Sequence, residues 1–391
     1  MNINITINVY QDGKKVDVKP GTVIKINDNE LYTVQTVDAN GNVAEEIKAK
    51  MVVCGVYRTF IVTSDGKLLA AGDNEFGQLG VGDTKNRYSF VDTGIRNPRM
   101  ISCGYYHTFI VTSDNKLLCA GNNEFGQLGL GDVNNVTSFT DTGIRNPKMV
   151  VCGWSHTFIV TSDGKLLGTG INSSGQLGLG DIDEVHVFTD TGIRDPRMVA
   201  CGWYHTFIVT SEGRLMGTGY NYYGQLGLSN DINEIYRFTD TGITNPRTIT
   251  CGGNHTFIIT SDGRLLCTGH NKRGELGLGD VKNRYLFTNT GITDPKMVVC
   301  GGLHTFIVTS DGKLMSTGRN IDGELGLGNT NNRLLFTDTG IRNPKTIACG
   351  YHHSFIVTSD GKLLGTGNNV FGQLGLKDTY ECQFTPISAC V

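Results

Sequence analysis

Residues 149–170 read MVVCGWSHTFIVTSDGKLLGTG, and nearly the same words recur six more times along the chain of 391 residues. The cysteines of the repeated Cys-Gly pair keep the period. Cys54, Cys103, Cys152, Cys201, Cys251, Cys300 and Cys349 are spaced by 49, 49, 49, 50, 49 and 49 residues. Self-similarity at this period marks a repeat architecture and overrides the two or three domains that length alone suggests. Within one unit, MVVC (149–152) is a short apolar run, HTFIVTS (156–162) is β-branched and aromatic, and LLGTG (166–170) is a third run. Asp163-Gly164 is a two-residue hairpin signal between the second and third runs. A glycine-rich loop, INSSGQLGLGD, leads to a fourth run, VFTDTG (187–192), and Arg194-Asp195-Pro196 returns the chain to the next unit.

Four short antiparallel strands per unit, with no helical periodicity, predict an all-β chain: a seven-bladed β-propeller of four-stranded blades over residues 48–391. An open solenoid is the competing arrangement. It needs polar caps at both ends, whereas the last unit stops at FTPISACV (384–391), which fits a ring closing on its first blade. Residues 1–47 stand outside the repeat. INITINVY, TVIKI and LYTVQTV, separated by QDGK, NDNE and followed by DANGN, predict a small N-terminal β-module of four or five strands. This module is expected to dock the propeller into a larger assembly, or to lend a strand that helps close the ring.

Lys and Arg number 34 against 37 Asp and Glu, a net charge of −3 that gives no support for nucleic-acid binding. No apolar run approaches the roughly 18–20 residues of a membrane-spanning helix. The N-terminus, alternating apolar and polar residues, lacks the build of a secretion signal, so synthesis and folding in a cytoplasm are expected. Of the 11 cysteines, seven belong to the repeat, and an odd total argues for reduced thiols. Each repeat cysteine is expected to pack as a small buried side chain.

The words CGxxHTFIV and GQLGLGD at this period, seen in ACGWYHTFIV (200–209) and ACGYHHSFIV (348–357), resemble the regulator of chromosome condensation repeat family. The resemblance covers all seven units. It implies the propeller fold, while functions within the family range over GTPase exchange factors, ubiquitin-ligase domains, an enzyme inhibitor, and bacterial and phage proteins. A bacterial or phage member is expected here rather than the nuclear exchange factor. The wedge and basic tail of the exchange factors have no counterpart, the only length change being one residue near Ser229–Tyr236.

Seven internal copies can be compared with each other. In a four-stranded blade the A–B and C–D loops share one face of the disc, and the B–C hairpins and D–A crossings share the other. The second face hardly varies. On the first, the two residues after each Cys-Gly differ from blade to blade and supply Tyr57, Tyr105, Tyr106, Trp154, Trp203, Tyr204, Tyr351 and His352. The C–D loops beside them supply Phe76, Phe125, Tyr220, Tyr222, Tyr223, His270, Lys272, Arg273 and Arg319. Aromatic residues offer large, stiff contact area with a polar tip, so this face is expected to bind a protein partner or a cell-surface glycan. The competing reading is loop drift, with the aromatic side chains merely filling the channel mouth.

The chemical motifs point elsewhere than catalysis. Cys-Gly-x-x-His recurs in six blades, with Arg58 in place of histidine in the first, but each blade offers two ligands where a structural zinc wants four. The histidines are expected instead to hydrogen-bond a neighbouring blade's backbone. GQLGLGD lacks the lysine of a phosphate loop and opens no helix, so its glycines serve turns and its aspartate caps the loop. No catalytic set, metal site or cofactor site is expected. The leading reading is a non-enzymatic recognition propeller, with a phage tail, baseplate or bacterial surface as its setting and association with a virion after assembly. A guanine-nucleotide exchange factor is the alternative. A propeller enzyme using Tyr222, Tyr223, His270 and Lys272 is the third reading.

Overall fold

The computed structural model describes residues 9–11, 14–16, 23–26, 30–33, 45–229, 231–376 and 379–389. The chain divides into two units: Met1–Glu46 with Ser388–Val391, and Ile47–Ile387. In the first, Val9–Gln11 pairs with Lys14–Val16, Val23–Ile26 pairs with Glu30–Thr33, and Glu45–Glu46 pairs with Ser388–Ala389. The remaining strand and turn expectations for the N-terminal segment fall outside the described residues.

The second unit is a propeller of seven four-stranded sheets, each an antiparallel meander whose spatial order equals its chain order. Blade 3 shows the pattern: A, Met149–Cys152; B, His156–Val160; C, Lys165–Gly170; D, Val185–Arg194. The outer strand is longer than the sequence predicts at both ends: Val185 and His186 precede the predicted run, and Ile193 and Arg194 stay in the sheet past a register shift. Gly192 turns the backbone at φ 81°, and Arg194 folds back on Asp190 through two hydrogen bonds of 2.8 and 2.9 Å. The B–C turn also differs. Thr161 N–H reaches Lys165 O, leaving Ser162, Asp163 and Gly164 as a three-residue loop with Gly164 at φ 86°. That is the geometry of a type I turn ending in a left-handed residue.

Strand B is buried on both faces, and Phe60, Phe109, Phe158, Phe207, Phe257, Phe306 and Phe355 are wholly buried. Between blades the register is set by GQLGLGD. A side chain on Gly129 would lie 2.5 Å from the ring of Phe188 on the next blade's outer strand, so the bare backbone is what lets the two blades close. Leu130 then bridges to Val187 of that strand.

The blades are stitched by the B-strand histidines. His107 Nε2 contacts Thr157 Oγ1 at 2.9 Å, His156 contacts Thr206 at 3.1 Å, and so on round to His353 and Thr59 at 3.1 Å. The partner is therefore a neighbouring hydroxyl rather than the backbone expected from sequence. Thr157, Thr206, Thr256, Thr305 and Ser354 each spend their own proton on a carbonyl of the preceding blade, as Thr157 does on Gln127 O at 2.9 Å. In those five links the histidine must then donate through Nε2, and Nδ1 is without a partner in all six histidines. Blade 1 confirms the polarity with a group that can only donate. Arg58 gives Nε–H to Thr108 Oγ1 at 3.1 Å and its other hydrogens to the carbonyls of Tyr105, Gly104 and His107.

Ring closure has a second component. Blade 7's outer strand ends at Pro386, and Ile387 N–H bonds to Leu363 O. From there residues 47–49 take over: Ile47 N–H bonds to Ile387 O, Lys48 bridges to Lys362, and Ala49 N–H bonds to Gly361 O. Asn97 N–H makes the same bond to Gly66 O in blade 1, so Ile47-Lys48-Ala49 stands in for Ile95-Arg96-Asn97. Ile47 is 5% exposed. Changing Ile47 to Asp is expected to destabilise the propeller by roughly 3 kcal/mol, since it removes a buried aliphatic side chain and buries a charge. Urea unfolding beside the equivalent Ile95→Asp checks this; a silent Ile47→Asp would mean the ring closes without it.

Burial holds the ring histidines neutral, pulling His156, His205, His304 and His353 down to about 3 and His255 to about 4, with His107 also well below the usual range. The unfolded chain protonates these groups below about 6.5, whereas the folded chain does not until far lower. Their contribution to stability is thus complete above pH 6.5 and is lost as pH falls through the window toward 4. Each costs up to about 1.4 kcal/mol per pH unit there. The expected result is a melting temperature flat above neutrality and falling steeply below pH 6, with a slope that His156→Gln reduces by one proton. A profile insensitive to pH between 6.5 and 4.5 would contradict the neutral ring.

Candidate functional site

The two variable residues after Cys-Gly separate into two roles. The first points at the axis. Tyr105 stacks on Trp154 with ring centroids 3.7 Å apart, Trp154 meets Trp203 edge-on at 4.9 Å, and Trp203 reaches Tyr351 of blade 7 at 5.3 Å. Blades 5 and 6 make room for this. A side chain on Gly253 would lie 2.6 Å from Trp203, and one on Gly302 would lie 2.1 Å from the Tyr351 ring. The aromatic residues therefore close one mouth of a central cavity of about 130 Å³ lined by all seven Cys-Gly pairs. The repeat cysteines line this cavity and also pack, as expected, against the apolar clusters between blades: Cys300 is buried in one, and Cys103, Cys152, Cys201, Cys251 and Cys349 are partly buried against others. Burial holds their thiols protonated, pushing Cys152 and Cys300 up to about 12.

The second variable residue lies farther out, against the C–D loop of the preceding blade. Tyr106 packs on Phe76 at 4.7 Å and donates to Tyr105 Oη at 3.0 Å; Tyr57 packs on Phe371 at 5.1 Å. Burial and the neighbouring tyrosines push the Tyr57 phenol up to about 12. In blade 4, Tyr204, Tyr220, Tyr222, Tyr223 and then His270 form a chain of ring contacts. Of the aromatic candidates only Tyr222 is exposed, at 54%; Tyr57, Phe76, Tyr105, Tyr106, Phe125, Trp154, Trp203, Tyr204, Tyr220, Tyr223 and Tyr351 are half-buried. The mouth-filling arrangement weighed from sequence thus describes the axial set.

The basic sector is also smaller than its sequence suggests. Arg319 Nη1 bonds to Asp322 Oδ2 at 2.7 Å, to His352 Nδ1 at 2.6 Å and to Glu324 Oε1. Asp322, Glu324 and His352 lie close enough to hold a metal ion, but the guanidinium occupies the place of the cation. Burial alone would raise the buried Glu324, yet His352, His304 and Arg319 hold it down to about 2. His270 is likewise engaged, its Nδ1 2.8 Å from the buried Glu275. No hydroxyl or thiol hydrogen-bonds to His270 among the described residues. Lys272 and Arg273 are exposed, and their charged groups have no hydrogen bond or ion pair among the described residues.

The C–D loop is built to display two residues. In blade 2, buried Asn123 donates to Asp132 O at 2.8 Å and accepts from Leu128 N at 2.9 Å, so it pins the loop from inside. Gln127 Oε1 accepts Phe125 N–H at 2.9 Å. Gly126, at φ 73°, packs against the next blade's outer strand. Between the fixed asparagine and glycine stand two free positions. The first is exposed in every blade: Glu75, Glu124, Ser173, Tyr222, Lys272, Ile321 and Val370. Glu124, Ser173, Ile321 and Val370 do not stand out in the sequence one by one, though alignment of the copies between Asn and Gly marks their column. Glu275 and Glu324, which replace the glutamine of the other five blades, were also legible as GELGLG and each coincides with a cationic or donor residue five positions earlier.

Comparison with known proteins fits this architecture. The regulator of chromosome condensation (RCC1) repeat model matches residues 50–78, 101–127, 150–176, 199–225, 247–275, 296–324 and 345–373. The chain belongs to the RCC1 repeat family. Among solved structures, Prp20p from Saccharomyces cerevisiae, studied with its binding to Gsp1p and histones, superposes with TM-score 0.73 at 19% identity, covering 86% of this chain and 88% of that one. Human WBSCR16 superposes with TM-score 0.70 at 21% identity over 84% and 89%. These likenesses establish the fold. A stretch of 43 residues is 49% identical to the X-linked retinitis pigmentosa GTPase regulator of Canis lupus familiaris, spanning 11% of this chain and 4% of that protein.

The two tryptophans of the chain both sit in the axial plug, so fluorescence reports on it directly. Gly302→Ala is expected to displace Tyr351 and loosen Trp203, giving a red-shifted emission and a loss of roughly 1–3 kcal/mol, the usual cost of overpacking. An unshifted spectrum would mean the plug does not depend on the glycines beneath it.

Proposed function

We propose that this RCC1-repeat propeller is a non-enzymatic recognition module that binds a protein partner through the ring of C–D loop tips. One observation carries the reading. Seven nearly identical scaffolds hold one exposed position between a fixed asparagine and a fixed glycine, and there the residues become acidic, polar, aromatic, basic and aliphatic in turn. Variable exposed residues held on a repeated scaffold present a specific, asymmetric surface. The alternation of acidic, basic and aliphatic groups among the tips suits a protein surface, with exposed Tyr88, Tyr222, Tyr236 and Tyr285 adding ring area beside them. A component of a bacterial or phage assembly is the setting we assign, from the frequency of Asn, Lys and Ile in the chain.

The test is partner capture by cross-linking in native extract with the full chain, compared with a Tyr222→Ala, Lys272→Ala, Ile321→Ala variant. A second variant changes Lys148 and Arg197 on the opposite face to Ala. Loss of about 2 kcal/mol, roughly thirtyfold, is expected for the first and none for the second. The reverse result would move the binding surface to the D–A face.

A further inference from the structure

The seven tips are not only varied; their order round the disc is self-complementary. A twofold axis in the plane of a seven-bladed face sets blade over blade when it passes through one blade and the gap opposite, and seven such axes exist. Two copies stacked face to face about the axis through blade 3 set blade 2 over blade 4, blade 1 over blade 5, and blade 6 over blade 7. The exposed residues then pair by chemistry. Glu75 of blade 1 faces Lys272 of blade 5, Glu124 of blade 2 faces the Tyr222 hydroxyl of blade 4, Ile321 faces Val370, and Ser173 meets its own copy.

The other six axes fail this pairing. Those through blades 1 and 2 place a glutamate on itself, and that through blade 5 places Lys272 on itself. Those through blades 4 and 6 leave Lys272 without an acidic partner, and those through blades 4 and 7 set a glutamate over an aliphatic tip. Beside the Glu75–Lys272 contact, Arg273 faces Phe76, a pairing of guanidinium with ring. Both cations are free to take such partners, since neither is neutralised within its own chain among the described residues.

We propose that the partner of the tip ring is a second copy of this chain, bound face to face about the axis through blade 3. The inference rests on the tip ring being a binding surface and adds the occupant. An isologous contact of this kind doubles every pair, so each Glu75–Lys272 match occurs twice in the dimer. It is also closed, and leaves the D–A faces of both copies outward.

The test is sedimentation of the full chain from low micromolar to hundreds of micromolar, at low and high salt. Wild type is expected to dimerise, more weakly at high salt. Lys272→Glu and Glu75→Lys, both exposed substitutions, are each expected to weaken self-association at least about tenfold, because two ion pairs become two like-charge contacts. An equimolar mixture of the two variants is expected to recover the dimer, since each chain then carries the charge the other lacks. The chain bearing both changes should dimerise by itself. A wild type monomeric throughout overturns the proposal, as does a dimer indifferent to both single changes, or single changes that weaken it without recovery on mixing. A monomer whose partner capture still depends on Tyr222, Lys272 and Ile321 would overturn self-association while leaving the binding surface in place.

Discussion

The hydrogen bond from a B-strand histidine to the next blade's threonine is the constraint on which the ring depends. In five of these links the hydroxyl receives from the histidine and donates to the carbonyl before it, as at Thr157, so one oxygen ties strand B, the preceding C–D loop and the preceding imidazole together. A buried polar group of this kind is costly unless it is satisfied, and satisfaction here needs the neighbouring blade in place. Cooperativity between blades follows from that requirement. The open Nδ1 atoms are what remains when the hydroxyl's single proton is already committed. Arg58 fills the same post in blade 1 with four hydrogen bonds, to Thr108 and to the carbonyls of Gly104, Tyr105 and His107.

On that frame the molecule separates what must be constant from what is free. Gly129 and its copies must be bare so that the next blade's phenylalanine can lie under them. Asn123 and its copies must be present so that the loop holds its shape. The axial residues are constrained collectively: Trp203 crosses the mouth only because Gly253 and Gly302 leave space, so a large residue in one blade is matched by its absence in another. The tip residues touch little and answer to no such constraint, and their chemistry is therefore available for recognition.

Much of this was legible from the copies. The period determined the propeller, and the C–D loops stood out as variable, with Tyr222 and Lys272 among the residues they supply. The glutamines that become Glu275 and Glu324 were visible too, and their meaning was partly encoded by His270 and Arg319 five residues before them. Exposure was not legible. Tyr105, Trp154 and Trp203 vary between blades just as Tyr222 does, and sequence variation alone does not tell a residue that packs on its neighbours from one that faces solvent.

The sequence by itself determined the number of blades, the strands within each, and which face carries the differences, because those follow from local periodicity and from comparing like with like. Only the tertiary structure decided that residues 47–49 complete blade 7, since the match of Ile47 to Ile95 lies in hydrogen bonds to Ile387 and Gly361 and not in any shared word. It alone decided that the aromatic set is a plug, because Trp203 and Tyr351 stand three blades apart in the chain and meet only across the axis. It also decided that Arg319 is neutralised while Lys272 and Arg273 are not, since charge is cancelled by what lies within a few ångströms, and that distance is set by the fold.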